Sequence, residues 1–258
     1  MIIPKTIHQI WMQGWASLPE KYLVNVQSIS EKNPGYQIIR WDDRSMRDMV
    51  RNLGETYLQK YDSFQTIHQK VDFGRYAVLY ALGGISVDVD VMAHKGFDDT
   101  PFINEKDFIV SYNSSSAFEN YVKHGRPVSL NNATILVSKR HPIMKGLLDH
   151  IMTLSCEIGQ SKESCIQETT GPREFTTYLN QFKDQITILD SAYFEPCSGS
   201  DMNCEIKPVS ILDHRHEGSW LGENTKKFAD TYYKIKKYKW PILIVTIIII
   251  LFIIHGRK

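Results

Sequence analysis

The stretch from Ile67 to Met92 constrains the fold of this chain more than any other. Ile67 to Leu82 reads as a helix that Gly83-Gly84 stops. Glycine just past a helix accepts left-handed backbone without strain. Ile85 to Met92, rich in valine, then reads as a strand. The same alternation runs upstream. Lys5 to Trp11 reads as a strand, Pro19 to Ser30 as a helix closed by Asn33-Pro34-Gly35, Tyr36 to Trp41 as a second strand, and Arg44 to Tyr61 as a second helix. Downstream, Ala133 to Ser138 is a further strand, and His141-Pro142 opens a helix to about Thr153. Strands alternating with helices predict an α/β domain with a mainly parallel central sheet.

The strand after the two glycines carries the strongest chemical signal, Ile85-Ser86-Val87-Asp88-Val89-Asp90. On a strand, alternate side chains share a face, so Asp88 and Asp90 are expected to point the same way. Two adjacent carboxylates repel unless a proton or cation lies between them. Hard oxygen ligands suit Mg²⁺ or Mn²⁺, which leave coordination positions open for phosphate oxygens. The alternative is a polar strand end facing water. On the preceding helix, Asp72 and Arg75 are three apart and share a face with Tyr76 and Leu79. That face runs toward the acidic pair. Arg75 would hold a phosphate or sugar hydroxyl, and Asp72 would accept from a hydroxyl. The plainer alternative is a surface ion pair contributing little.

Ile3-Pro4-Lys5-Thr6-Ile7-His8-Gln9-Ile10-Trp11, Asp72-x-x-Arg75-Tyr76 and the run from Gly83 to Asp90 together resemble the DXD-containing glycosyltransferases. That family includes fungal α-1,6-mannosyltransferases and inositol-phosphorylceramide mannosyltransferases. The resemblance continues through Asn131-Asn132, His141-Pro142, Thr170-Gly171-Pro172 and His216-x-x-Ser219-Trp220, and so spans residues 2–221. It implies a GT-A-like nucleotide-sugar-binding fold and metal-dependent transfer with retention of anomeric configuration. The hexose would be mannose, from GDP-mannose or next a UDP-sugar, and the acceptor a hydroxyl of a glycan, glycoprotein or glycolipid. Carried over by position, the resemblance has Trp11 border the donor base. Asp72, Arg75 and Asn132 would hold the donor sugar. Asp88 would contact the ribose and metal-bound water, and Asp90 would ligate Mn²⁺ or Mg²⁺. His216 and Ser219 would complete the metal shell, and Trp220 would close over the diphosphate. Asp88, Asp90 and Arg75 form the implied catalytic set. Ser86 stands where the family usually has an aromatic residue, often Tyr.

Composition narrows the remaining classes. Thirty basic against 29 acidic side chains give a formal charge of +1, without the basic excess of a general nucleic-acid binder. A mean hydropathy of −0.29 rules out a polytopic membrane protein. One segment departs from that average: Ile242 to Ile254 is apolar except for Thr246. The expected organisation is a glycosyltransferase domain over residues 1–225, a basic linker over 226–239 and a hydrophobic membrane-anchor helix over 240–254. Such a helix reaches roughly 22 Å against a hydrocarbon core of about 30 Å. Lys239, Arg257 and Lys258 would close the gap by snorkelling, and Tyr238 and Trp240 sit where an interfacial belt belongs. The alternative is a buried core segment.

Orientation is contested within the sequence. Lys226, Lys227, Lys234, Lys236, Lys237 and Lys239 precede the apolar run, which argues for a cytosolic catalytic part. Family analogy argues for the Golgi lumen. No secretory signal pattern opens the chain. Cys156, Cys165, Cys197 and Cys204 lack zinc-knuckle spacing and leave two disulfides possible in a lumenal domain. Glycosylation sequons occur at Asn113 and Asn132. Two rival functions stand beside the transferase. Asp88-Val89-Asp90-Val91 resembles the start of haloacid-dehalogenase-type phosphohydrolases, in which the first Asp is the nucleophile. A non-catalytic membrane-tethered protein that kept the fold is the other.

Overall fold

β1 (Thr6–Ile10) pairs parallel with β2 (Gln37–Trp41) on one side and with β3 (Gly84–Val87) on the other. The computed structural model describes residues 2–114, 117–197, 205–216, 218, 223–224, 227–228 and 231–232. β6 (Thr134–Val137) runs antiparallel between β3 and β5 (Phe108–Ser111), and β7 (Thr187–Leu189) closes the edge parallel to β5. The six strands take the order β2-β1-β3-β6-β5-β7. Only β6 is reversed, so the mainly parallel sheet expected from the alternation is the sheet that forms. A separate ribbon pairs β4 (Val91–Ala93) with β8 (Leu212–His214).

Helices cover both faces. α2 (Asp43–Arg51), α4 (Ile67–Leu82), α6 (Pro142–Thr153) and α8 (Pro172–Leu179) enclose one core, in which Phe73, Tyr76, Leu79, Leu147 and Phe175 are fully or almost fully buried. α1 (Glu20–Lys32) and the β4–β8 ribbon enclose the other, around Ile7, Ile29, Ile85 and Phe194.

The α4–β3 joint fixes the site. α4 starts at a capping box: Thr66 Oγ1 accepts from the Gln69 backbone N–H at 3.2 Å, and Gln69 Oε1 accepts from the Thr66 N–H at 3.3 Å. It ends at Gly83 (φ 68°) and Gly84 (φ 103°), as the two glycines predict. A Cβ at Gly83 would lie 2.5 Å from the Lys139 backbone nitrogen, and one at Gly84 2.4 Å from the Thr6 carbonyl. The turn thus needs glycine twice over, for its angles and for its close approach. Beneath it, His8 Nε2–H donates to the Gly83 carbonyl at 2.8 Å, while His8 Nδ1 accepts from Trp41 Nε1 at 3.2 Å. Burial drives the His8 pKa down to about 4, so the imidazole is neutral.

Two expectations are corrected. The helix expected from Arg44 to Tyr61 is broken into α2 and α3 (Glu55–Ser63) at Asn52-Leu53-Gly54. Gly54 adopts φ 141°, outside helical backbone. The strand expected from Ile85 to Met92 leaves the sheet after Val87, and β4 begins at Val91. Asp88 to Asp90 form a turn between them, with the Val91 N–H donating to the Asp88 carbonyl.

α7 (Lys162–Thr169) is tied back by a disulfide between Cys156 and Cys165, and Cys197 is also disulfide-bonded. The expected anchor at 240–254 lies outside the described residues, as does most of the basic linker. Among the described residues no helix is long and apolar enough to cross a membrane.

Candidate active site

A cavity of about 380 Å³ opens at the carboxyl ends of β1 and β3. That edge of a parallel sheet is where α/β proteins usually bind ligands. Trp11, directly after β1, lines one end together with Ile10, Gln13 and Tyr22. The Trp11 and Tyr22 rings are 5.7 Å apart. This end is aromatic and carries few charges.

The opposite wall is built on α4. Asp72 and Arg75 are one turn apart on its buried face, 8% and 2% exposed. Asp72 accepts from Asn132 Nδ2 at 3.2 Å and from Thr170 Oγ1 at 3.4 Å. Arg75 Nη2 donates to Asp88 Oδ1 at 2.5 Å, and Nη1 to the Asn132 carbonyl. Arg75 also lies 3.9 Å from Asp72. The surface-ion-pair alternative therefore fails, because the pair is buried. Burial pushes the Asp72 carboxyl up to about 7, against the pull of Arg75. Burial raises Asp88 as well, and Arg75 opposes it. Tyr76 completes the brace by donating to the Thr170 carbonyl at 2.9 Å.

The third wall comes from the far end of the chain. Asp90 Oδ2 lies 3.3 Å from His214 Nε2, at the end of β8. The Arg215 N–H donates to the Asp90 carbonyl at 2.9 Å, holding the two segments together. Behind His214 sits Glu195, 1% exposed, with its carboxylate 3.6 Å from His214 Nδ1 and 3.3 Å from His216 Nε2. Burial opposes a charged His214, but Asp90 and Glu195 outweigh it and hold the imidazole well above its ordinary value. Burial likewise opposes a charged Glu195, and the two imidazoles outweigh it and keep the carboxyl low.

One ligand atom each from Asp88, Asp90 and His214 falls within 4.8 Å of the others. Two carboxylates and an imidazole are a donor set that fits a divalent cation. Among the sequence-derived residues, Trp11, Asp72, Arg75, Asp88, Asp90, Asn132 and His216 all line the one cavity. Their placement differs in detail from the expectation. Asp88 and Asp90 converge through a turn and not through strand alternation. The Arg75 side chain is engaged by Asp88 and the Asn132 backbone. His214, not His216, faces Asp90; His216 lies behind it beside Glu195. Ser219 and Trp220 fall outside the described residues. Ser86 is 1% exposed and in register with His8 within the sheet, away from the cavity lining.

His214 and Glu195 were not singled out from the sequence. The alternation His214-x-His216 was the available signal for the first. Glu195 offered only a lone acid after Tyr193-Phe194.

A profile described as a glycosyltransferase sugar-binding region containing a DXD motif matches residues 19–109. An uncharacterized glycosyltransferase of Acanthamoeba polyphaga mimivirus is 30% identical over 230 residues, which cover 85% of this chain and 84% of that protein. Inositol phosphoceramide mannosyltransferase 3 of Schizosaccharomyces pombe is 29% identical over 142 residues, 55% of this chain and 35% of the relative. The initiation-specific alpha-1,6-mannosyltransferase of Candida albicans is 23% identical over 209 residues, 71% of this chain and 54% of the relative. The chain thus spans most of the viral relative and about half or less of these two fungal ones.

Proposed function

This chain belongs to the DXD-containing glycosyltransferases, and on that premise we propose that it moves a hexose, mannose first, from a nucleotide-diphosphate sugar to a hydroxyl on a glycan or lipid-linked acceptor. The observation that carries the reading is the convergence of Asp88, Asp90 and His214 on one cavity whose other walls are Trp11–Tyr22 and Asp72–Asn132. The nucleotide base fits the aromatic end, and the sugar fits the wall where Asp72 and Asn132 offer hydrogen-bonding groups. Mannose is favoured by the names of the fungal relatives, and GDP-mannose is the donor proposed with it, a UDP-sugar next.

The chain's own groups divide the work. Departure of the diphosphate from the anomeric carbon builds negative charge on its oxygens. A divalent cation, Mn²⁺ or Mg²⁺, would supply charge neutralisation there, stronger in the transition state than in the ground state. Asp88, Asp90 and His214 would hold it. Arg75 keeps Asp88 aimed by a direct hydrogen bond and offsets the charge of Asp72. Asp72, anchored by Asn132 and Thr170, fixes the sugar hydroxyls. A front-face route with retention needs no carboxylate nucleophile. The phosphohydrolase alternative is disfavoured, because Asp88 Oδ1, its nucleophile, is bonded to Arg75.

The test is a panel of GDP- and UDP-sugars with Mn²⁺, scored by nucleotide-diphosphate release with and without acceptor. GDP-mannose is expected to give the largest signal; release from no sugar nucleotide, with phosphate-ester hydrolysis instead, overturns the reading. For topology we propose a C-terminal anchor at 240–254 with the catalytic domain on the oxidising, lumenal side. The Cys156–Cys165 disulfide and the bonded Cys197 favour that side over the cytosolic one that the lysines suggest. Protease protection of the domain in intact microsomes is the expected result; digestion without detergent contradicts it.

A further inference from the structure

Glu195 is a buried carboxylate whose facing cationic groups are imidazoles. It caps the short helix α9 (Ser191–Phe194), lines the cavity behind His214 and is 1% exposed. Its Oε1 accepts from the Ser114 N–H at 3.2 Å and from Ser114 Oγ at 3.4 Å, with His216 Nε2 at 3.3 Å. Its Oε2 faces His214 Nδ1 at 3.6 Å. That nitrogen is buried and has no hydrogen-bond partner within 3.5 Å among the described residues. A shift of about 0.5 Å would bring it into bonding distance of the carboxylate.

We propose that Glu195 is a positioning residue of the cation site. It accepts Nδ1–H from His214 and so, once an incoming cation displaces the Nε2 proton to solvent, fixes the tautomer whose Nε2 lone pair points at the cation held beside Asp90. The inference rests on the reading of Asp88, Asp90 and His214 as cation ligands.

The chemistry follows from the two nitrogens of imidazole. A neutral ring donates from one and accepts at the other. With the proton on Nε2, the ring would turn a donor toward an incoming cation. A carboxylate behind Nδ1 prevents that, orients the ring and makes the ligand more basic. His216 reinforces the orientation from the side. It adopts left-handed backbone (φ 52°), which folds its ring back onto His214 with centroids 4.3 Å apart. Its Nε2 lies 3.0 Å from the Cys197 carbonyl, so that ring is held at both Glu195 and the disulfide-bonded Cys197. The stack leaves His214 little room to rotate. Glu195 has no hydrogen bond to the Asp72–Asn132 wall, so its loss is expected to spare the sugar contacts.

Mn²⁺ binding to the full chain, followed by the electron paramagnetic resonance of free Mn²⁺, tests the proposal. Wild-type protein is expected to take up one ion. Glu195→Gln is expected to weaken that binding by about 10- to 100-fold, while kcat at saturating Mn²⁺ stays within a few-fold of wild type. Equal affinity in the two proteins overturns the inference and leaves the cation reading standing. Uptake of two ions by wild type, one of them lost in Glu195→Gln, also overturns it, because Glu195 would then be a ligand with His214 and His216. A wild-type chain that binds no Mn²⁺ overturns the cation reading itself. Should Glu195→Gln fail to fold, the imidazole ¹H–¹⁵N spectrum of Mg²⁺-loaded wild-type protein decides. His214 protonated at Nδ1 supports the proposal, and protonation at Nε2 refutes it.

Discussion

The two charged walls of the cavity are built differently. The α4 wall is the more closely bonded: Arg75 bonds Asp88 at 2.5 Å, and Asn132, Thr170 and Tyr76 fasten Asp72 and its surroundings, although Arg75 Nε is buried without a hydrogen-bond partner among the described residues. The opposite wall joins Asp90, His214, Glu195 and His216 at 3.3–3.6 Å. Its carboxylates face imidazoles, and among the described residues His214 Nδ1, like Arg75 Nε on the first wall, lacks a hydrogen-bond partner. The first wall hangs on one helix, α4, to which Asp88 after β3, Asn132 before β6 and Thr170 between α7 and α8 are fastened. The second is gathered from two strand ends and a single helical turn. The difference suggests separate duties. The α4 wall is finished on folding and holds its shape through internal hydrogen bonds. The histidine wall has its candidate ligand atoms close together and, on the proposed reading, is completed by a cation.

Breaking each wall should give different losses. Asp90→Ala is expected to lower kcat by on the order of 10³-fold or more, above about 4 kcal/mol of barrier. Its urea midpoint should stay near wild type, because Asp90 belongs to the loosely joined wall. Steady-state transfer with saturating Mn²⁺ is the measurement, and near-normal turnover would remove the cation assignment. Arg75→Met should do the reverse and destabilise the fold by about 3 kcal/mol, since it leaves the buried Asp72 carboxyl without its cation and removes the partner of half-buried Asp88. Urea unfolding reads this out. A variant as stable as wild type would mean that the α4 wall is not the rigid one.

His8 sharpens the comparison at the base of that wall. Its pKa is about 4 in the folded chain and near 6.5 when unfolded. Between those values the unfolded state binds more protons, so stability falls as pH drops from 6.5 toward 4. The loss is expected to reach about 3 kcal/mol. His8→Gln should flatten that part of the pH–stability curve; an unchanged slope rules out His8 as its source. Thr170→Val is the mildest probe. Removing one hydroxyl from Asp72 should cost about 1 kcal/mol, seen as a melting shift of about 2–4 °C, with the donor KM rising and the Mn²⁺ requirement unchanged.

Much of the α4 wall was legible in the sequence because its signals are local. The two glycines mark the helix end, and the three-residue spacing of Asp72 and Arg75 puts both on one face. The helix then carries that face into the acidic segment. The turn at Asp88–Asp90 was hidden, because a Val-rich run continues through Met92 and only the pairing of β4 with β8 draws the chain out of the sheet. The break at Gly54 was likewise masked by helix-forming residues on both sides. The histidine wall was the least legible. Its members meet across more than a hundred residues of chain, and no periodicity connects Asp90 to Glu195 or His214. The resemblance set His216 beside the metal; the structure sets His214 against Asp90 and His216 behind it beside Glu195. β8 ends at His214, and the left-handed backbone at His216 turns its ring behind the first, which no spacing in the sequence signals.

The most direct test is manganese anomalous diffraction from a crystal soaked with Mn²⁺ and GDP. A single peak within coordinating distance of Asp90 and His214, touching the diphosphate, is the predicted result. GDP bound in the cavity with no anomalous peak beside Asp90, or a peak elsewhere in the chain, would contradict it.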